Sequence, residues 1–99
     1  MHVINTNEAK ALPYEQRDKN VLFNNSKMKL RIVELEKNEE LPECEMKNSV
    51  VFHIIKGSLD LKVGTKSSTL KKGFTAVCEP GTYSMKAKSK TKLIGIMIL

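Results

Sequence analysis

The chain predicts an all-β domain, a double-stranded β-helix or jelly-roll barrel behind a short N-terminal arm, and three observations carry that reading. From Val21 onward the apolar residues fall in short runs with a period of two, the repeat of a strand that buries one face. Turn-forming residues separate these runs at nearly regular intervals, as they do in closed barrels and two-sheet sandwiches. No window keeps the i, i+3, i+4, i+7 spacing of an amphipathic helix.

Residues 1–20 are polar and broken by Pro13, and Asn5 or Asn7 caps no more than a short helical turn before it. They read as an arm, and residues 21–99 as the barrel. Strands are expected at Val21–Phe23, Leu30–Leu35, Val50–Ile55, Ser58–Val63, Thr69–Leu70, Phe74–Val77, Thr82–Lys88 and Leu93–Leu99. Between them, Asn24-Asn25-Ser26, Lys37-Asn38-Glu39, Gly57, Gly64, Gly73, Pro80-Gly81 and Ser89-Lys90-Thr91 mark turns, with Gly and Asn supplying positive φ. Antiparallel closure also removes exposed strand edges.

Two strands are apolar on both faces. Val50, Phe52 and Ile54 back onto Val51, His53 and Ile55, and Ile94, Ile96 and Ile98 back onto Leu93, Met97 and Leu99. One face lines the barrel and the other needs a cover, from the arm or from a second copy. Because a polar arm buries little, a homodimer is the expected cover.

A chain of 99 residues makes one core, and with three Phe, two Tyr and no Trp that core rests on Ile, Leu, Val and Met. No run approaches the ~20 apolar residues of a membrane span, and the first residues lack a secretory pattern, so no membrane association and a cytoplasmic location are expected. Two cysteines, Cys44 and Cys78, are too few for a disulfide framework and are expected to stay reduced. The net charge of +6 resides in the second half, which carries nine Lys against two acids, while the first half carries eight Lys or Arg against nine acids.

Within Leu41–Met85 the framework Pro42, Cys44, Met46, Val50, Gly57 is followed by Gly73, Pro80-Gly81 and Ser84. This spacing resembles the two motifs of the small single-domain cupins (the RmlC-like cupin superfamily), with a looser likeness over Val21–Leu99. The resemblance implies a jelly-roll barrel with its site inside. In that family two histidines, a glutamate and a further histidine hold a metal; here Cys44, Met46, Val50 and Ser84 stand in those places. Divalent Mn, Fe, Ni or Zn want imidazole and carboxylate, so no metal and no cofactor are expected. Cys44 and Met46 form a soft pair that would suit Cu(I), with Cys78 if it turns inward, but Cys and Met are also ordinary core fillers, and that plainer role outweighs the metal.

The resemblance implies a pocket lined by Cys44, Met46, Val50, Phe52 and Ser84, with Ser84 offering a hydrogen bond. His53 lies on the opposite face of its strand from Val50, so an interface histidine is expected rather than a catalytic one. His2 belongs to the solvated arm. Glu79, Tyr83 and Lys86 are the remaining acid–base candidates, and their facing depends on a register that a one-residue slip would reverse. An extended strand would set Lys86, Lys88, Lys90 and Lys92 on one side, with Lys71 and Lys72 adding to it, but no aromatic residues or arginines interleave the run, and lysines guarding a strand edge outweigh nucleic-acid binding. The leading expectation is a metal-free module, binding or regulatory, for an unidentified small molecule. Two alternatives stand beside it: a cupin enzyme with a soft-metal or acid–base site, and an interaction protein that engages nucleic acid or an acidic partner through its lysines.

Overall fold

The computed structural model describes residues 1–99, and nine strands in two antiparallel sheets account for most of them. They are β1 (Val21–Asn24), β2 (Met28–Leu35), β3 (Glu40–Met46), β4 (Val50–Lys56), β5 (Ser58–Val63), β6 (Lys66–Lys71), β7 (Thr75–Cys78), β8 (Gly81–Ala87) and β9 (Thr91–Ile98). The order is β1-β2-β9-β4-β7 in the first sheet and β3-β8-β5-β6 in the second. This is the all-β jelly roll that the period-two pattern predicts.

Between the sheets lies one core. Leu35, Ile54 and Leu93 from the first sheet face Leu59, Leu61, Leu70, Met85 and Ala87 from the second. Burying a side chain of this size is worth about 1.5–3 kcal/mol, and these leucines and isoleucines carry most of that gain in a chain without tryptophan.

β3 is the strand that the sequence reading lacks. Its residues include Pro42 and three glutamates, a composition poor in strand formers. It forms because it is an edge: it pairs only with β8, and the register shifts between Leu41 and Cys44, where Pro42 sits. A proline in such an irregularity breaks no ladder. β6 likewise extends beyond the expected Thr69–Leu70, an edge strand in which only Leu70 is buried.

The arm forms a turn near Asn5, whose carbonyl accepts from the Glu8 and Ala9 amides, matching the short turn expected before Pro13. It is not a loose tail, however. A 3-10 helix follows at Tyr14–Asn20, and Asn20, which is buried, exchanges hydrogen bonds with the Leu12 backbone at 2.8 and 2.9 Å. Upstream, Lys92 Nζ donates to the carbonyls of Thr6 and Asn7 at 3.1 and 3.0 Å, and Glu34 accepts from the Ala11 amide at 3.4 Å. The arm thereby reaches the outer face of the first sheet, where Ile32 is only 1% exposed.

An apolar row crosses the rest of that outer face. Register partners Leu30, Ile96, Val51 and Val77 form one row across β2, β9, β4 and β7, ending at Val77, which is 76% exposed. His53 is on this face, as alternation predicts, with Nδ1 2.8 Å from Thr75 Oγ1.

The lysine run departs from expectation. β8 ends at Ala87 and β9 begins at Thr91, so Lys86 and Lys92 belong to different sheets with Lys88 and Lys90 in the corner between. Local hydrogen bonds build that corner: Thr91 Oγ1 donates to the carbonyls of Ser58 and Ser89 at 2.9 and 2.8 Å, and the Ser58 amide donates to Ser89 Oγ at 3.1 Å. Lys86, Lys90 and Lys92 instead pair separately with Glu40, Glu36 and Glu34.

Candidate functional site

A cavity of about 210 Å³ opens into the barrel between β2, β3, β4, β8 and β9, and the 3-10 helix stands at its rim. Register shows which side chains face it. The Phe52 ring lies against Gly95, its neighbour across β4 and β9, where a Cβ would meet Phe52 Cε1 at 3.5 Å. That ring meets buried Tyr83 edge-on at 6.1 Å from the opposite sheet, so this side of Gly95 is interior. Arg31 pairs with Gly95 and Lys29 with Met97 across β2 and β9, which turns both cations inward. Gly95, opposite Arg31, adds no side chain of its own to that inner face.

Cys44, Met46, Val50, Phe52 and Ser84, the residues expected to line the pocket, all border this one cavity. Cys44 pairs with Tyr83 and Met46 with Gly81, and Cys44 Sγ lies 3.6 Å from Met46 Sδ near the solvent. Val50 and Phe52 occupy the opposite wall. Ser84 is placed differently from the expectation. It lies between buried Tyr83 and Met85 and pairs with exposed Lys62, so its hydroxyl turns to the outer face. Alternation along β8 delivers Tyr83 to the interior instead.

Among the acid–base candidates, Lys86 shares the outer side with Ser84 and Glu79 is exposed. Tyr83 faces inward, but its hydroxyl donates to the Glu79 backbone carbonyl. Cys78, the register partner of Val50, is buried and does not line the cavity.

The sequence reading missed the arm and β2 as cavity walls. Leu12, Tyr14, Arg17, Lys29 and Arg31 all contribute to the lining. A basic residue at every second place of a strand next to a glycine-bearing strand is the signal that could have found Lys29 and Arg31.

Solved structures repeat this architecture. A cupin superfamily protein from Desulfitobacterium hafniense superposes with a TM-score of 0.74 at 12% identity, over 80% of this chain and 73% of its own. The chain has the cupin fold. A conserved protein of unknown function from Streptococcus pyogenes matches over 99% of this chain and 95% of its own, with a TM-score of 0.72 and 18% identity. The salicylate 1,2-dioxygenase of Pseudaminobacter salicylatoxidans matches 72% of this chain with 21% of its own, at a TM-score of 0.69 and 18% identity. No protein-family model and no curated protein matches the chain. A fold shared by an oxygenase and by proteins without an assigned reaction does not select an activity, which has to be argued from the site.

The donor set of this cupin barrel does not fit a divalent metal. No three His, Cys, Asp or Glu side chains come together anywhere in the chain, and the cavity lining holds no imidazole and a single carboxylate, Glu34, which is paired with Lys92. Cys44 and Met46 supply two soft donors at the mouth without a third, short of a closed shell for a soft ion.

Burial pushes the Cys78 thiol above its ordinary value near 9.0, and it pushes the Tyr83 phenol above 10.0, with nearby Cys78 and Glu79 adding to the second shift. Both groups stay protonated in the fold after the unfolded chain has begun to lose those protons. Their contribution to stability is therefore complete below about pH 9 and declines as the pH rises through the folded values. Urea midpoints measured from pH 7 to 11 should fall steeply above pH 9, and Cys78→Ala should flatten the first part of that fall. An unchanged slope in the variant would show that Cys78 is not its source.

Proposed function

We propose that this cupin barrel is a small-molecule binding module that works without a divalent metal. The observation that carries the reading is the cavity itself, about 210 Å³ of open space at the position where a packed core would otherwise close. Folded interiors are close-packed, and a cavity of about 150 Å³ already admits benzene, so a space of this size is suited to a ligand of about one ring. Its walls are mostly apolar with a few polar groups, the usual make-up of a ligand site. The side chains also favour binding over acid–base catalysis, since Tyr83 alone of the three candidates faces inward and its hydroxyl is already engaged.

Thermal-shift screening of small metabolites, followed by methyl NMR of Met46 and Met97, tests the proposal. Compounds that raise the melting temperature should move both methyl signals, which sit on opposite sheets around the cavity. A broad library that moves neither signal would leave the barrel a structural role only.

A second copy of the chain is the proposed cover for the remaining apolar face. The row from Leu30 to Val77 runs across four strands and ends at the free edge of β7, where the arm leaves Val77 open. Burial of such a row is favourable roughly in proportion to its apolar area. Light scattering should give a dimer for the wild type and a monomer for Val77→Lys; a monomeric wild type removes this reading. Two thiols without a disulfide partner suit a reducing, cytoplasmic setting.

A further inference from the structure

We propose that the ligand of this barrel is a small carboxylic acid with an apolar body, its carboxylate held by the guanidinium of Arg31. This deepens the small-molecule reading and rests on it.

Arg31 stands on the inward row of β2, opposite Gly95, with its side chain 28% exposed. Its Nε–H is fully buried and has no hydrogen-bond partner. A buried donor on a charged group is rarely left unpaired, and each such case calls for an explanation. The only anion that Arg31 meets is Asp18, whose Oδ1 is 3.3 Å from Nη2 and whose side chain is 93% exposed. That contact is long and hydrated at one end, the kind of surface pair worth little. The Nε–H and Nη2–H edge of a guanidinium forms a planar fork matched to the two oxygens of a carboxylate. Nε itself is closed off from the cavity, so a ligand carboxylate would take over Nη2 from Asp18 and gain the Nε–H as the guanidinium turns toward it.

The other charges around the cavity agree with this choice. Lys29 lies one step along the same inward row and adds a second positive charge. Arg17 is held elsewhere, its guanidinium 4.6 Å from the centre of the Tyr14 ring and donating to the Tyr14 carbonyl at 3.3 Å. Glu34, the acidic residue on the cavity's border, is 3.7 Å from Lys92 Nζ and accepts from the Ala11 amide, so it does not oppose an anion at Arg31. One guanidinium whose only partner is a long, exposed contact suits a planar monoanion. Beyond it, Met46, Val50, Phe52 and Met97 offer an apolar surface that a ring or short chain would cover.

Benzoate and its uncharged counterpart benzamide share a shape and differ in the group that Arg31 would grip. Calorimetry at low salt, with the Met46 and Met97 methyls as a second readout, should show benzoate binding the wild type about ten-fold more tightly than benzamide. Arg31→Gln should remove that preference, and Arg31→Lys should restore only part of it, because an ammonium keeps the charge without the fork. Asp18→Asn changes only an exposed side chain and tests the same contact without touching the interior; it should tighten benzoate and leave benzamide unchanged. Equal affinity for the two probes, or a benzoate preference that survives Arg31→Gln, overturns the carboxylate assignment while the cavity reading stands. If neither probe moves the methyl signals, the carboxylate assignment falls, and the small-molecule reading is decided by the wider library.

Discussion

Gly57→Ala should cost this chain about 3–4 kcal/mol, the largest loss expected from removing no atom at all. Gly57 has φ of +86°, and a Cβ added to it would lie 2.2 Å from the Lys90 carbonyl oxygen and 2.8 Å from Thr91 Cα. Both are backbone atoms, and they cannot swing aside as a side-chain tip would. The corner they belong to is tied by Thr91 Oγ1 to Ser58 and Ser89, so relief for Gly57 means breaking those bonds. The left-handed conformation alone accounts for roughly 1–2 kcal/mol, and overpacking adds about 1–3 kcal/mol. Gly73 separates the two terms: it has the same φ of +86° but no atom within 4 Å of a built Cβ. Gly73→Ala should therefore lose only the conformational part. For a domain of about this size, 1 kcal/mol corresponds to about 4–8 °C in melting temperature, so the two variants should differ by roughly 10 °C. If both lose the same stability, the crowding at Lys90 and Thr91 plays no part.

That glycine was legible in the sequence, and the reasons it was legible differ from the reasons β3 was not. Gly57 stands between two period-two runs, where a chain reversal needs positive φ, and the turn signals at Gly64, Gly73 and Asn38 work the same way. These are local requirements written in single residues. β3 instead owes its existence to β8, which offers an open edge to a segment with little preference of its own, and no local pattern in Glu40–Met46 expresses that. The inward turn of Arg31 is also non-local. Leu30 and Ile32 on one side of β2 and Val33 and Leu35 on the other are comparably apolar, so alternation alone does not choose a face. On the outer side the arm bonds to Glu34 and Lys92 beside buried Ile32, and on the inner side Arg31 faces Gly95, which has no side chain. Ser84 and Tyr83 show the same limit at a scale of one residue, since motif spacing points to the first and the pleat of β8 delivers the second.

Gly95→Val should abolish small-molecule binding while leaving the fold intact and somewhat more stable. Glycine inside a strand weakens it by about 0.5–1 kcal/mol relative to alanine, and a β-branched residue suits the pleated surface better still. The position accepts a side chain: a Cβ on Gly95 meets the Phe52 ring at 3.5 and 3.6 Å, ordinary packing distances, and the backbone does not require positive φ. An isopropyl group there would project into a cavity of about 210 Å³, between Phe52 and Arg31, and take the space that an apolar ligand body needs. Gly95→Ala is the graded control, with the same gain in strand preference and far less volume lost. Melting temperature should thus rise in both variants, while the ligand-induced thermal shift survives in Gly95→Ala and vanishes in Gly95→Val. This pairing of effects distinguishes a binding cavity from a packing defect: filling a mere defect also stabilises the fold, but only a site loses a ligand in return. Undiminished ligand response in a folded Gly95→Val would place binding somewhere other than the barrel.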